Sequence, residues 1–247
     1  LCASSLPLFA QNITVRGGVS DIHGDPLIQG ESNTGRYNEY RKLMEALISD
    51  WRTRWEEAEL PFLIVQLANF MQDPPYPTES HWAGLRNVQR ELVNSTPSTG
   101  LAVTIDIGEW NDIHPLNKKE VGQRLSLQAR RIAYKDNEVI ADGPVFRSIQ
   151  AEGNRLVLSF EEGSNDIVPV QELKGFAIAG TDGKFEWARA TVEGNRVEVW
   201  SETIAEPKRV RYAWRNNPEE ANLKNRQGLP ASPFEAELTD NKQPRQQ

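Results

Sequence analysis

The spacing of apolar residues changes near Val139 from a helical period to a period of two. Before this point, amphipathic stretches of helical length alternate with short runs that are apolar throughout, which is typical of helices packed on a parallel sheet. After it, short segments alternate between apolar and polar residues and are separated by Gly and Asn, as in antiparallel strands. The sequence therefore predicts an α/β layer over residues 28–137, a β-sandwich over 138–240 and a polar tail at 241–247.

The first half contains three predicted helices and two predicted buried strands. The helices are expected at 37–57, 80–95 and 115–136, and the strands at 60–70 and 100–107. In the second helix, Arg86 and Arg90 are expected to be solvated. Right-handed crossovers would join these elements into a parallel sheet that binds ligands beyond the carboxyl ends of its strands. In the third helix, five apolar residues are expected to face the sheet: Val121, Leu125, Leu127, Ala129 and Ile132.

Two Glu-Gly-Asn-Arg sequences punctuate the second half, at 152–155 and 193–196. Because Gly and Asn tolerate the backbone angles of tight turns, each sequence is predicted to close a hairpin. Trp187, Trp200 and Trp214 lie on predicted strands of this half, where a role in the hydrophobic core is favoured over ligand binding.

Composition limits the classes of function. With 247 residues, of which 38% are hydrophobic, the chain is long enough to bury a core. A formal net charge of −7 argues against nucleic-acid and anionic-membrane partners, which need a concentrated positive surface, so a neutral small molecule or a sugar fits better. The single cysteine, Cys2, excludes a disulfide within the chain, and three scattered histidines argue against a metal site. No cofactor is expected.

The opening stretch, LCASSLPLFAQN, is apolar, rich in small residues and too short to span a bilayer. It resembles the end of a secretory signal peptide cut near Ala10, and an ordinary amino-terminal strand or an expression scar is the alternative. Residues 1–27 are therefore expected to be a signal-peptide remnant joined to a shortened amino-terminal segment. This interpretation predicts a periplasmic or secreted protein that has no membrane contact once the signal is removed.

One of the three histidines lies among carboxylates in the stretch DIGEWNDIHPLNKKEVGQRL, residues 106–125. The stretch overlaps the end of the second predicted strand, at the edge where α/β sheets bind ligands. His114 is therefore a candidate general base, since an ordinary pKa near 6.5 lets an imidazole accept and return a proton at neutral pH. A turn residue before a proline is the alternative. Asp112 is the nearest carboxylate for orienting the imidazole, with Asp106 and Glu109 behind it.

Six segments of the sequence, taken in order, resemble one enzyme family. They are QGESNTGRYNEYRKLMEALISDWRTRW, PFLIVQLANF, TGLAVTIDIGEWNDIHPLNKKEVGQRL, LKGFAIAGTDGKFEWARA, VRYAW and GLPASPF. Together they resemble the carboxyl-terminal half of bacterial sialate O-acetylesterase-like proteins, carbohydrate esterases of the SGNH hydrolase superfamily. The resemblance implies part of a three-layer, flavodoxin-like parallel sheet followed by a β-sandwich. It also implies hydrolysis of acetyl esters on an O-acetylated carbohydrate by a Ser/His/acid mechanism.

The resemblance implies roles for particular residues. His114 in DIHP is similar to the family's general base. Gln29, Gly30, Glu31 and Ser32 are similar to the block that supplies donors to the oxyanion and supports the site. An amide such as that of Gln29 can donate to a developing oxyanion without carrying charge.

The carboxylate partner of the base departs from the common pattern. Many SGNH relatives have Asp three residues before the histidine, where this sequence has Asn111, so Asp112 is the preferred candidate. Trp110 in the same stretch is a candidate to pack on a sugar ring, and plain loop packing is the alternative.

The sequence lacks the family's Gly-Gln-Ser-Asn nucleophile motif. A truncated product, an internal deletion or one piece of a split protein is therefore expected, with a complementing chain that carries the nucleophile as a potential partner. Ser20 and Ser32 are the nearest substitutes, but a cap or turn hydroxyl is preferred for Ser32. Two functions stay open. One is an esterase whose base lies in this chain, and the other is a non-catalytic remnant or a carbohydrate-associated β-sandwich protein.

Overall fold

Two parallel strands form the sheet of the first half, and α-helices flank them. The computed structural model describes residues 30–161 and 166–238. β1 pairs with β2 in parallel, with Phe62 opposite Thr99, which confirms the predicted parallel arrangement. In chain order the elements of this half are a 3-10 helix (Glu31–Arg36), α1 (Tyr37–Arg54), β1 (Phe62–Val65), α2 (His81–Ser95), β2 (Thr99–Ala102) and α3 (Lys118–Ile132).

α1 and α2 cover one face of the parallel pair. Tyr40, Met44 and Ile48 of α1 are spaced by four residues, so they form one stripe along the helix, and all three are buried. They pack in a single hydrophobic cluster with Leu92 of α2 and Leu101 of β2. Burying an apolar side chain of this size contributes roughly 1.5–3 kcal/mol. The stripe therefore fixes α1 in its place beside the sheet.

α3 packs on the opposite face of β2, largely through polar side chains. Gly100 faces α3, where an added Cβ would lie 2.5 Å from Ile132 Cδ1. Gln128 donates to the Leu101 carbonyl at 2.9 Å, and Arg124 donates to the backbone just after β2 at 2.6 Å. The predicted apolar face is therefore confirmed for Ile132 only, because polar side chains on this face satisfy the backbone groups of β2. The predicted positions other than Ile132 are only partly buried: Val121, Leu125, Leu127 and Ala129.

The described residues after α3 form two antiparallel sheets of four strands each, in the orders β3-β4-β8-β7 and β10-β9-β5-β6. The change from parallel to antiparallel pairing follows the change in sequence period. The strands are β3 (Phe146–Glu152), β4 (Arg155–Phe160), β5 (Phe176–Ala179), β6 (Glu186–Trp187), β7 (Arg189–Glu193), β8 (Arg196–Trp200), β9 (Arg209–Tyr212) and β10 (Phe234–Glu237).

Both Glu-Gly-Asn-Arg sequences close tight hairpins, as predicted. Glu152 pairs with Arg155, and Glu193 pairs with Arg196, so two residues connect the strands in each case. The glycines of the two turns have φ angles of +63° and +61°, in the left-handed region that glycine adopts without steric cost. One hydrophobic cluster takes buried residues from both sheets: Leu156, Leu158 and Val199 from one, and Phe176, Val210 and Phe234 from the other.

Trp187 is not a core residue, contrary to the prediction. It lies on β6, a two-residue strand at the edge of its sheet, and is 40% exposed. Because an edge strand has a neighbour on one side only, part of its surface stays open to solvent. The indole Nε1 of Trp187 instead donates to the Pro75 carbonyl at 2.8 Å. Trp200 and Trp214 are half-buried.

Several predictions fall on residues outside the described part of the chain. They concern the signal-peptide remnant at 1–27, Gln29 and the tail at 241–247. The domain boundaries 28–137 and 138–240 also stay predictions. In the part of the chain that the structure describes, no helix is both long enough and apolar enough to cross a membrane.

Candidate active site

His114 lies on the loop of residues 103–117, which joins the carboxyl end of β2 to α3 and is called the His114 loop below. The Asp112 carboxylate accepts a hydrogen bond from the His114 backbone N–H at 2.7 Å and thereby closes a local turn. The same carboxylate oxygen is 3.9 Å from His114 Nδ1, which is beyond hydrogen-bonding distance, and the His114 side chain is 87% exposed. The Asp112 carboxylate and the His114 imidazole are therefore adjacent but not hydrogen-bonded. Rotation of a side chain would bring them within hydrogen-bonding distance.

Asp106 is committed to a partly buried ion-pair cluster. Arg124 donates to its two carboxylate oxygens at 2.6 and 3.2 Å, and Lys224 Nζ donates to Oδ2 at 2.7 Å. Burial by itself would raise the pKa of Asp106, but the hydrogen bonds and charges of Arg124 and Lys224 hold that pKa below its ordinary value. Because both oxygens are engaged, Asp106 is a poor partner for His114.

A short turn presents Trp110 next to the candidate base. The Asp112 N–H donates to the Glu109 carbonyl at 3.2 Å, which closes the turn. Trp110 lies within it and is 48% exposed, while its carbonyl accepts from the Met71 N–H at 2.8 Å. Met71 has a φ of +70°, which is uncommon outside glycine. The backbone of Trp110 is thus held in place while its ring stays half exposed.

Asn69 and Gly108 tie together the loops that follow β1 and β2. Asn69 is 2% exposed, and its Oδ1 accepts from the Gly108 N–H at 2.6 Å. Its Nδ2 donates to Asn217 Oδ1 at 2.7 Å. A Cβ on residue 108 would lie 2.4 Å from the Asn69 carbonyl oxygen, so glycine is required at this close approach. Sequence reasoning missed the contact because 39 residues separate the two positions and neither belongs to a recognisable motif.

The described part of the QGES segment forms a tight turn beside the loop that follows β1. Gly30 has a φ of +108°, which side-chain-bearing residues rarely adopt, and its N–H donates to Oδ1 of the fully buried Asn33 at 3.2 Å. An added Cβ on Gly30 would lie 3.4 Å from Leu67 Cδ2. Glu31 is partly buried and Ser32 is exposed. Both lie in the 3-10 helix, and Gly30 rather than Ser32 occupies its cap position.

Arg86 is fully buried behind these loops, contrary to the prediction that it is solvated. Burial lowers the pKa of its guanidinium to about 9, although a nearby aspartate opposes the shift, so the group stays charged at neutral pH. No sequence pattern indicates this role, since arginine on an amphipathic helix is normally exposed. The guanidinium donates to four backbone carbonyls at 2.7–2.9 Å: those of Leu67, Ala68, Arg215 and Asn216.

These contacts bring two predicted blocks to one edge of the parallel pair. The Gly30–Asn33 turn packs beside Leu67, and the Leu67–Met71 segment bonds to the His114 loop at two points. This edge is the carboxyl end of both strands, where α/β sheets place their ligands. Gln29, the predicted donor to the oxyanion, lies outside the described residues, so its place beside His114 stays a prediction. Among residues 30–161 and 166–238, no group of three or more His, Cys, Asp or Glu side chains could hold a metal ion.

Comparisons with known proteins identify relatives of the chain. Residues 16–130 match the family model described as carbohydrate esterase, sialic acid-specific acetylesterase. Over 93% of its length the chain is 29% identical to the sialate O-acetylesterases of Mus musculus and of Homo sapiens. The chain is thus similar in sequence to the sialate O-acetylesterases over most of its length. The crystal structure of a carbohydrate acetylesterase from Xanthomonas citri is also similar, with a TM-score of 0.80 and 41% sequence identity over 86% of this chain.

The match covers only part of the length of the sialate O-acetylesterases, and the candidate site lies within it. The chain spans about half the length of these relatives: 46% of the mouse protein, 47% of the human protein and 50% of the Xanthomonas protein. The family-model match covers both the Gly30–Asn33 turn and the His114 loop, and it ends within α3, before the antiparallel strands. The resemblance stated from the sequence is therefore confirmed, and the candidate site lies inside the matched region.

Proposed function

We propose that this chain supplies the histidine-bearing side of the active site of a carbohydrate O-acetylesterase, an enzyme that hydrolyses acetyl esters on sugars. The observation that supports this most is that the Gly30–Asn33 turn and the His114 loop border the same Leu67–Met71 segment, at the carboxyl edge of the parallel pair. Sequence similarity to the sialate O-acetylesterases supports the reaction class. The proposed substrate is an O-acetylated carbohydrate.

In the proposed mechanism, His114 accepts the proton of the nucleophile as it attacks the acetyl carbonyl and returns it to the departing sugar oxygen. Asp112 orients the imidazole and stabilises its positive form. A separation of 3.9 Å can close to a hydrogen bond by side-chain rotation, and hydrogen bonds of this kind often tighten only when substrate is bound. Trp110, half exposed on the same loop, offers an apolar face to the sugar ring.

Gln29 is the proposed donor to the oxyanion, and Gly30 supports the site without donating. The Gly30 N–H is already bonded to Asn33 Oδ1, so it could reach an oxyanion only by breaking the turn. The positive φ of Gly30 explains why glycine follows the proposed donor, since a residue with a Cβ would be strained there.

The nucleophile is proposed to be a serine outside this sequence, either elsewhere in the same polypeptide or on a complementing chain. We further propose that β1 and β2 are part of the three-layer sheet of SGNH hydrolases, because α1 and α2 lie on one face and α3 on the other. The two antiparallel sheets are proposed to form a β-sandwich, which is supported by the hydrophobic cluster that they share.

A non-catalytic role is the second candidate, and the exposure of His114 favours it. The side chain is 87% exposed, whereas proton-transferring groups generally work in sites from which water is excluded. In that case the chain would be a remnant of an esterase or would bind carbohydrate without hydrolysing it.

Hydrolysis of p-nitrophenyl acetate by the 247-residue chain tests where the nucleophile lies. We expect negligible turnover, because without the serine only general-base attack by water remains, and triads that lack a member retain only about 10³–10⁴-fold catalysis over water. Robust turnover that survives His114→Ala but is lost in Ser32→Ala would show that the base is misassigned and that Ser32 is the nucleophile. Turnover that requires both residues would show that the QGESN segment itself carries the serine.

A further inference from the structure

Trp187 borders a groove that the proposed reaction does not use. The groove has a volume of about 580 Å³ and lies between segments 171–176 and 187–191, with Trp200 and Glu220 completing its lining. This volume falls within the roughly 300–1,000 Å³ range of small-molecule sites. Two tryptophans in one groove indicate a ligand with flat apolar faces.

Two contacts hold the Trp187 ring in a fixed orientation. Its Nε1 donates to the Pro75 carbonyl at 2.8 Å, and the Arg215 guanidinium carbon lies 5.3 Å from the ring centroid. The residue is nevertheless 40% exposed. Because its polar atom is already bonded, the exposed remainder is largely hydrocarbon surface. A ligand that packs on a side chain fixed in this way loses little conformational entropy, since the protein side is already ordered.

Trp200 is held in a similar way on the neighbouring sheet. The Arg155 guanidinium carbon lies 4.4 Å from its ring centroid, and Trp200 pairs with Arg189 in the β7–β8 ladder. Both indoles that line the groove are therefore fixed by strand position and by a stacked arginine.

The charged side chains that line the groove balance each other. They are two carboxylates, Glu172 and Glu220, and two cations, Lys174 and Arg189. Lys174 pairs with Glu172 at 3.5 Å, and Arg189 pairs with Glu202, just outside the lining, at 3.0 Å. All of these side chains are well exposed, so they can exchange their partners for ligand hydroxyl groups at little energetic cost. Because the lining carries two charges of each sign, a neutral ligand that both donates and accepts hydrogen bonds fits better than an anion or a cation.

The groove is connected to the candidate active site through one stretch of backbone. The Met71 N–H bonds to Trp110 at one end of this stretch, and the Pro75 carbonyl bonds to Trp187 at the other. Tyr76, which follows directly, is 61% exposed. This stretch therefore holds exposed aromatic side chains at both of its ends, Trp110 at one end and Tyr76 and Trp187 at the other.

We propose that the groove binds neutral pyranose units of an oligosaccharide, with a sugar ring packed on Trp187. Pyranoses whose hydroxyl groups are mainly equatorial present flat C–H faces, which match an exposed indole. The groove extends the proposed function by giving the acetylated substrate a second sugar-binding site, and binding there does not depend on ester hydrolysis.

Calorimetric titration of the whole chain with cellotetraose and xylotetraose, each to about 10 mM, tests this site without any acetyl group being present. We expect measurable binding of at least one sugar and a rise in Kd of at least about tenfold in Trp187→Ala. Trp187→Phe keeps a flat ring and should retain part of the affinity. Trp55→Ala is the matched control, because Trp55 is 56% exposed but lies at the end of α1, near the amino end of β1. Far-UV circular dichroism confirms that each variant is folded.

The titrations separate this site from the proposed reaction. Binding that His114→Ala leaves unchanged and Trp187→Ala abolishes supports the groove, whether or not the protein hydrolyses esters. If neither sugar binds the unaltered chain, or if Trp187→Phe and Trp187→Ala both bind like it, the groove is not a carbohydrate site. An equal loss of affinity in Trp55→Ala would likewise overturn the assignment to Trp187.

Discussion

Replacing Arg86 with methionine should strongly destabilise the protein. The guanidinium donates four hydrogen bonds of 2.7–2.9 Å to carbonyls of two separate segments, the one after β1 and the one at Arg215–Asn216. Methionine fills much of the same volume but leaves these carbonyls without their donor. Losing one partner of a buried charged network costs about 3–5 kcal/mol of unfolding free energy. In a chain of this length that loss lowers the Tm by roughly 6–20 °C.

Urea unfolding followed by far-UV circular dichroism measures this loss, and Arg90→Met is the matched control. Arg90 lies one turn further along α2, and its guanidinium bonds to Asn87 of the same helix. The Arg90 side chain is only 13% exposed, contrary to the prediction that it is solvated, but its bonds to Asn87 stay within one helix. Its replacement should therefore cost about 1–2 kcal/mol, less than that of Arg86. If Arg86→Met costs as little as Arg90→Met, the buried guanidinium does not hold the two segments together and the reasoning is refuted.

Two further predictions concern the His114 loop. Gly108→Ala should cost about 1–3 kcal/mol of stability, because its Cβ would lie 2.4 Å from the Asn69 carbonyl oxygen. Gly122→Ala, on an exposed position of α3 with open space around it, should instead stabilise by about 0.5–1 kcal/mol, and thermal unfolding of both variants checks the contrast. The folded protein holds the pKa of Asp106 below its ordinary value of 3.8. The ionised Asp106 therefore stabilises the protein at pH values above 3.8, and this stabilisation is lost as the pH falls through the lower pKa of the folded state. The difference in unfolding free energy between the unaltered chain and Asp106→Asn should therefore be largest near neutral pH and shrink in acid, and a difference that grows on acidification would contradict it.

Local sequence patterns predicted the helices and turns whose formation depends on nearby residues. The apolar stripe of Tyr40, Met44 and Ile48 has a helical period, and α1 occupies that stretch because one face of it can be buried. The two Gly-Asn turns also follow from local backbone preferences, and both hairpins form there. The location of the His114 loop followed from counting strands, since the segment after a parallel strand emerges at the carboxyl edge of the sheet.

Long-range polar contacts were not predictable in this way. Arg86 was expected in solvent because its helix position carries no apolar signal, and its burial depends on carbonyls 129 and 130 residues away. The bond between Asn69 and Gly108 likewise depends on how two loops approach each other. Trp187 was expected in the core because strand tryptophans usually are, but its strand lies at the edge of the sheet. Each of these environments depends on how distant segments pack together, which the spacing of apolar residues in the sequence does not indicate.

Acetate release from an O-acetylated sugar by a polypeptide that carries both this chain and the serine-bearing segment tests the role of His114 most directly. We predict that His114→Ala lowers kcat by at least about 10⁴-fold, as expected when the base of a serine hydrolase is removed. His81→Ala, at an exposed position that begins α2, should leave kcat unchanged. A His114→Ala variant that keeps kcat within about tenfold of the unaltered polypeptide would contradict the assignment of His114 as the general base.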